Sequence, residues 1–236
     1  MNSKTWLLSA AVLLTACGPE SLDDDPDVLD SDTASIVGGR RDKNHPAVVA
    51  LDNAQCTGTL ISRKTVLTAG HCIGFASEVR FGTEAQRPTL TVRIARQVRH
   101  PSYGRGAADD LGLLELAFPV TEIAPIPIFR GRLAQNDVGR TVRHVGFGRT
   151  HARGSGTRMT VAYPIRVIRD GAFESGANGE QTCSGDSGGP GLIDTPNGER
   201  IAGVVSLGDA RCRKTGWDAR VDTDVAWIDA TSAQWE

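Results

Sequence analysis

Short apolar segments separated by turn residues recur along most of this chain, and no other feature limits its fold more. LTVRI alternates between apolar and polar positions, as a half-buried strand does, while LGLLEL and IAGVVSL are apolar enough to be central strands. Short strands at this spacing predict an all-β barrel or sandwich. The predicted strands are AVVAL (47–51), TGTLI (57–61), LTVRI (90–94), LGLLEL (111–116), TVRHVGF (141–147), YPIRVI (163–168) and IAGVVSL (201–207).

Two further segments organise the strands. Residues 118–139 contain three prolines and interrupt the strand pattern, so we expect them to connect two β halves. The segment DTDVAWIDATSAQ near the C-terminus places Val225 and Ile228 one turn apart behind acidic residues, which predicts a short helix. With 236 residues, 39% of them hydrophobic, the chain has enough material for one large β domain or two small ones.

The charge distribution excludes one class of partner. The net charge is -2, but residues 1–35 hold seven acidic residues and one Lys, so the remainder carries an excess of about four positive charges. Such a mild excess does not indicate a nucleic-acid partner.

The N-terminus carries an export signal. Lys4 precedes an apolar run that ends at Leu14 and is too short for a membrane span, so residues 1–16 are predicted to be a signal peptide. The sequence LTAC at 14–17 also resembles the lipobox of bacterial lipoproteins. This resemblance implies a lipid on Cys17, which would be the protein's only contact with a membrane. The alternative is a plain signal peptide that ends in a chance Cys17. Residues 17–35 are acidic and cannot fold alone, so they are predicted to be a tether or pro-segment.

Export favours disulfides over free thiols among the four remaining cysteines. Four cysteines allow three connectivities, and none of them forms a C-x-x-C pair, so a structural zinc site is a weak alternative. These cysteines are Cys56, Cys72, Cys183 and Cys212.

The stretch CSGDSGGP at 183–190 surrounds Ser187 with glycines. A polar turn is one interpretation, but glycines also let a backbone approach a ligand closely. A serine becomes a strong nucleophile only beside a base. The G-x-S-x-G pattern here matches the nucleophile elbow of an α/β-hydrolase, but in that class the catalytic histidine follows the serine along the chain. All five histidines precede Ser187, which excludes that class.

A base and a carboxylate are available earlier in the chain. His71 lies in LTAGHC and Asp110 in ADDLGLLEL; taken singly, a histidine beside a strand is more often structural, and an acid before a strand is usually a solvated turn residue. Together with IVGG at 36–39 and CSGDSGGP, in this order, the motifs resemble those of the chymotrypsin-like (trypsin-fold) serine proteases. The resemblance covers 36–236 and includes VGFG (145–148), SLG (206–208) and VAWI (225–228).

This resemblance implies two antiparallel β-barrels with an active site in the cleft between them and no metal or organic cofactor. It implies that His71 is the general base, that Asp110 orients it and that Ser187 is the nucleophile, with the amides of Gly185 and Ser187 as the oxyanion hole.

The resemblance also implies how the chain is cross-linked and activated. Cleavage after Ser35 would free the ammonium group of Ile36 to pair with the carboxylate of Asp186. The implied disulfides are Cys56–Cys72 and Cys183–Cys212.

The sequence departs from the family in three places. Asp109 replaces a residue that is usually neutral, Leu207 replaces an aromatic one, and Gln181 stands where trypsin carries the Asp that selects Arg and Lys. Open space beside the pocket glycines predicts a large residue before the cleaved bond, with Arg or Lys slightly favoured if Asp218 supplies a negative charge. The substrate-binding residues implied are Gln181, Ser206, Gly208, Gly216 and Asp218.

The sequence thus predicts an exported serine endopeptidase, made as a zymogen, that hydrolyses proteins or peptides. Ser35 before Ile36 argues against a trypsin-like activator, so the activating protease is unidentified. The precursor is expected to be a cell-envelope lipoprotein that is secreted after activation. The alternative is a proteolytically silent homologue that binds a partner in the same cleft, which the complete triad disfavours.

Overall fold

The computed structural model describes residue 1 and residues 39–104, 106–149, 154–176, 181–208, 212 and 214–235. The predictions made for Cys17 and Ile36, and for the signal and tether segments beyond Met1, lie outside these residues.

Six antiparallel strands close the first barrel. A two-residue strand β1 (Arg40–Arg41) precedes it, and the barrel closes in the order β2-β3-β4-β7-β6-β5. Its strands are β2 (Val48–Leu51), β3 (Cys56–Leu60), β4 (Thr65–Thr68), β5 (Glu78–Phe81), β6 (Leu90–Arg99) and β7 (Gly112–Leu116).

Six further antiparallel strands form the second barrel, in the order β9-β10-β13-β12-β11-β8, and pairing of β8 with β9 closes it. β1 adds to the outside of β9, with Arg40 opposite Thr160. The strands are β8 (Thr141–Gly146), β9 (Met159–Arg169), β10 (Ala172–Ser175), β11 (Pro190–Thr195), β12 (Gly198–Gly208) and β13 (Gly216–Arg220).

A short helix α1 (Val225–Ser232) follows the second barrel and buries Ile228 against the core. Single 3-10 turns occur at Gly70–Cys72 and Gln135–Asp137. The prediction of an all-β fold with two antiparallel barrels and a C-terminal helix is confirmed. No described helix has the length and apolar character needed to cross a lipid bilayer.

The proline-containing segment runs between the barrels and bonds to both. The N–H of Ile126 donates to the carbonyl of Leu60 at 3.0 Å, and the N–H of Phe129 donates to the carbonyl of Ile201 at 2.8 Å. One core cluster joins the first barrel to residues of the second barrel and to Ile228. The barrels therefore share buried surface, which holds the residues at their junction in place.

Candidate active site

His71 is held in a turn that a disulfide and a carboxylate both restrain. It lies in the 3-10 turn after β4, and the next residue, Cys72, is bonded to Cys56 of β3 with a Cα–Cα distance of 6.2 Å. The carboxylate of Asp110 accepts the His71 backbone N–H at Oδ1 and lies against His71 Nδ1 at Oδ2, each at 2.8 Å. One side chain thus restrains both the backbone and the ring of His71, which leaves Nε2 directed away from Asp110.

Asp110 is buried but remains favoured in its charged form. It is 2% exposed, and Ser206 Oγ donates to its Oδ2 at 2.5 Å. Burial opposes ionisation, but the hydrogen bonds from His71 and Ser206 outweigh it and hold the pKa of Asp110 below its ordinary value. An ionised carboxylate at this position stabilises a positive charge on the neighbouring imidazole.

The adjacent Asp109 lies in a different environment. Its backbone has a left-handed φ of 58°, a region that Asp tolerates better than most residues. Its side-chain oxygen lies within 4.8 Å of side-chain atoms of His100 and Asp224, in a cluster apart from His71. The charge of Asp109 also contributes, after burial, to a raised pKa of Asp224. Of the two neighbouring acids, Asp110 is therefore the one that contacts His71.

The loop that carries Ser187 is hydrogen-bonded to both barrels. The N–H of Thr57 in β3 donates to the Ser187 carbonyl at 2.8 Å, while the N–H of Gly188 donates to Val205 of β12 at 2.8 Å. Gly188 has a φ of +85°, and a β-carbon there would collide with the backbone of Thr57 and Ala69. Only glycine allows this approach. The Ser187 carbonyl also lies 3.7 Å from Cys72 Sγ, so the serine is next to the His71 turn.

Asp186 is buried directly beside Ser187. Its oxygens accept the N–H groups of Gly148 and Cys183, each at 2.8 Å, and side chains on Gly146 or Gly148 would collide with its carboxylate. The VGFG motif therefore leaves the space that Asp186 fills. Burial raises the pKa of Asp186 to about 6, although these N–H groups and the charge of His144 act in the opposite direction.

Two adjoining depressions surround these residues. The first, called the primary pocket here, has a volume of about 140 Å³ and is lined by Thr182, Cys183, Ser184, Ser187, Val205, Ser206, Leu207, Gly208 and Cys212. The second contains His71, Asp110 and Tyr103 and shares Ser206 and Leu207 with the first. The disulfide Cys183–Cys212 forms part of the primary pocket's wall, with a Cα–Cα distance of 5.3 Å.

Similarity to known proteins agrees with this geometry. The family model described as trypsin matches residues 36–228, which is most of the chain. The chain belongs to the trypsin family.

Several relatives illustrate how far the similarity extends. Granzyme M of Rattus norvegicus is 29% identical over 86% of this chain and 91% of its own length. Chymotrypsin of Phaedon cochleariae is 30% identical, covering 76% of this chain and 72% of the relative. Phenoloxidase-activating enzyme 1 of Spodoptera litura is 31% identical over 76% of this chain, which spans 59% of that relative. At these identities the chain is a trypsin-like serine protease at the level of the family.

The residues singled out for substrate binding in this trypsin-family chain do not all line the primary pocket. Ser206 and Gly208 do, while Gly216 lies opposite Gly208 in the β12–β13 pair. Gln181 is fully buried behind Gly208. Asp218 is 2% exposed and is bonded to His144 Nε2 at 2.9 Å and Ser175 Oγ at 3.0 Å.

Sequence reasoning missed the buried network around Asp218. His144 stacks on Tyr163 with ring centroids 4.9 Å apart, and the Tyr163 hydroxyl accepts the N–H of Thr182 at 3.2 Å. Burial, together with the charge of Asp218, raises the pKa of Tyr163 well above its ordinary value. A histidine inside the apolar run TVRHVGF was the one available signal, since such a residue needs a polar partner when buried.

Proposed function

We propose that this chain is an exported serine endopeptidase in which His71, Asp110 and Ser187 form the catalytic triad. The observation that carries the proposal is that one buried, ionised carboxylate, that of Asp110, hydrogen-bonds to both the ring and the backbone N–H of His71. The bond between Asp110 and Nδ1 fixes the tautomer of His71 in which Nε2 can accept a proton. Membership of the trypsin family supports the same assignment.

The proposed reaction has two halves. Ser187 Oγ attacks the substrate carbonyl carbon while His71 Nε2 takes its proton, and Asp110 stabilises the resulting imidazolium. The imidazolium then protonates the leaving amine, the peptide C–N bond breaks and an acyl-enzyme remains. A water molecule, deprotonated by His71, hydrolyses the ester and restores Ser187.

The oxyanion hole is assigned to the backbone N–H groups of Gly185 and Ser187. Gly185 has a φ of +98°, and its carbonyl accepts the hydroxyl of Thr57 at 2.8 Å. That bond ties the peptide unit that follows Gly185 to the first barrel. Prearranged donors of this kind typically contribute about 100- to 1000-fold in rate per donor.

Activation is assigned to cleavage between Ser35 and Ile36 by an unidentified protease. Asp186 is 1% exposed, and within the described residues its hydrogen bonds come from backbone N–H groups. A buried carboxylate is strongly stabilised by a cation, and the new ammonium of Ile36 would supply one three residues before Gly39. The oxyanion loop therefore becomes stable when the precursor is cut.

Export and release complete the proposal. Residues 1–16 act as a signal peptide, Cys17 carries a lipid, residues 17–35 form an acidic tether and 36–236 form the peptidase domain. The same cut at Ser35–Ile36 that activates the domain then frees it from the membrane. Its substrates are proteins or peptides.

Labelling with a fluorophosphonate tests the enzymatic proposal. The activated parent protein is expected to be labelled, while Ser187→Ala is not, because the reagent reacts with an activated serine. A folded and activated parent that never labels would instead identify a silent homologue that binds a partner.

Cell fractionation tests activation and release. The active species is expected in the soluble fraction with Ile36 as its first residue, and the precursor in the membrane fraction unless Cys17→Ser prevents lipidation. Activity that remains in the membrane fraction with residues 17–35 intact would contradict the release model.

A further inference from the structure

The amide of Gln181 is buried without a hydrogen-bond partner. The residue is 0% exposed, and neither Oε1 nor Nε2 bonds to any group in the part of the chain that the structure describes. Buried amides are nearly always satisfied, because an unpaired donor or acceptor loses its bonds to water and gains none in return. An orphaned amide therefore indicates a partner that arrives from outside the chain.

This amide lies directly behind Gly208, one of the residues that line the primary pocket. A β-carbon added to Gly208, which lines the pocket, would lie 2.8 Å from Gln181 Nε2, and one added to Gly216 would lie 3.9 Å from it. The absence of a side chain on Gly208 thus makes room for the amide directly behind the lining of the pocket. The next residue, Thr182, lines the pocket itself. The amide itself is not part of the lining, so a substrate side chain meets it only where the pocket deepens towards Gln181.

Within the part of the chain that the structure describes, the primary pocket provides no charge. The described lining residues of the primary pocket are all uncharged. The nearest acid along β13, Asp218, is already bonded to His144 and Ser175. A charged group entering the pocket would lose its hydration without meeting an opposite charge, which is strongly unfavourable.

We propose that Gln181 selects substrates with an amide side chain, Gln or Asn, at P1, the residue before the cleaved bond. This inference rests on the proposed endopeptidase function. An amide satisfies both orphaned atoms, because its NH2 donates to Oε1 while its carbonyl accepts from Nε2. A Lys or Arg side chain can only donate, a carboxylate can only accept, and an apolar side chain does neither. The expectation of a slight preference for Arg or Lys is replaced by this one.

The test uses fluorogenic peptides that differ only at P1. The informative pairs match in size: Gln against Met, and Asn against Leu. We expect kcat/KM to favour the amide in at least one pair by about tenfold or more, because a site built to hydrogen-bond its ligand discriminates strongly against an analogue that cannot. Peptides with Lys or Glu at P1 are expected to be poorer still. Equal or faster cleavage of the Met and Leu peptides, or a preference for Lys, would overturn the proposal.

Variants of Gln181 locate the preference. Gln181→Met keeps the length of the side chain and removes both polar atoms, so the Gln-to-Met ratio of kcat/KM is expected to fall towards one. Gln181→Glu can only accept when ionised, so its preference is expected to shift towards Lys. The control is Gln234→Met, which changes a glutamine outside the site whose amide donates to Ala230 at 2.9 Å and should leave the ratio unchanged.

Fluorophosphonate labelling of the same samples distinguishes a failure of the Gln181 assignment from a failure of the endopeptidase proposal. A parent that is labelled but cleaves neither amide peptide refutes the assignment of Gln181 and leaves the endopeptidase proposal standing. A parent that is not labelled refutes the endopeptidase proposal. A Gln181→Met protein that is labelled and keeps the parental ratio also refutes the assignment, because the selectivity then lies elsewhere.

Discussion

Two histidine–aspartate pairs with closely similar local chemistry lie in different parts of this molecule. His71 bonds to Asp110 at 2.8 Å with Ser206 as a second donor, and His144 bonds to Asp218 at 2.9 Å with Ser175 as a second donor. The His71 side chain is 33% exposed, whereas that of His144 is 1% exposed. The first pair borders a depression at the junction of the barrels, and the second is sealed inside the second barrel.

The difference shows what a catalytic pair needs beyond its residue types. The His71 ring uses Nδ1 for Asp110, which leaves Nε2 for a serine or a substrate. The His144 ring uses Nε2, and its Nδ1 is buried without a partner in the described part of the chain. The second pair cannot exchange protons with a substrate, so its contribution is to stability. We therefore expect substitutions in the first pair to affect rate and those in the second to affect folding.

The largest expected effect comes from His71→Ala. Loss of the base should lower kcat by roughly a million-fold, the size of the loss in an unrelated protease with the same triad. The free energy of unfolding should change little, because the cleft lets water replace the ring. Active-site kinetics and denaturant unfolding on the same preparation measure both quantities. A loss of stability comparable to that of the sealed pair would contradict the comparison.

The next effect in size is on folding and comes from His144→Leu, which cannot donate a hydrogen bond. Removing one partner of a buried pair typically costs about 3–5 kcal/mol, and the Asp218 carboxylate would keep only the Ser175 hydroxyl among its side-chain donors in the described residues. The midpoint of denaturant unfolding should fall accordingly. A loss below about 1 kcal/mol would mean that water reaches Asp218 and that the second pair is not sealed.

The two serines provide a matched pair of smaller changes. Hydrogen bonds to charged groups contribute about 1.5–3 kcal/mol each. Ser206→Ala should therefore lower kcat/KM by about tenfold or more and raise the pKa of Asp110 towards its ordinary value, since one donor to the carboxylate is lost. Ser175→Ala should lower stability instead. If both variants affect only stability, Ser206 is a structural residue.

The smallest expected effect is a pH-dependent change in the free energy of unfolding when a third histidine, His45, is replaced. His45 lies 2.7 Å from Asp42 and 2.8 Å from Glu199; burial opposes its charged form, but these hydrogen bonds outweigh burial and raise its pKa above 6.5. A raised pKa means that the stabilisation is fully present below pH 6.5 and is lost as the pH rises through the folded-state value. The difference in unfolding free energy between the parent and His45→Gln should shrink as the pH rises above about 6.5. A difference that grows with pH would contradict this assignment.

The strand predictions are correct where the local residue types themselves indicate burial. All seven predicted apolar runs lie largely within strands, and Ile201 to Ser206 are buried as expected for a central strand. LTVRI is only partly buried, with Val92 buried and Leu90 39% exposed, although its strand pairs with a neighbour on both sides. The sequences TVLT, EVRF, AFES, PGLIDT and GWDAR were not predicted as strands. They become β4, β5, β10, β11 and β13 because pairing partners on both sides supply hydrogen bonds that such short sequences cannot specify alone.

Some features of the candidate site are likewise visible in the sequence, while others depend on the tertiary structure. The residue types of a triad, their order along the chain and the glycines around Ser187 are visible in the sequence, because each motif carries its chemistry within a few residues. Which of Asp109 and Asp110 contacts His71 depends on the left-handed backbone at Asp109, and that is a tertiary result. The pairing of His144 with Asp218 joins residues 74 positions apart, and the burial of Gln181 beneath Gly208 likewise follows from strand packing. Sequence determines which groups can transfer a proton or accept a hydrogen bond, and the packing of the two barrels decides which of them water and substrate can reach.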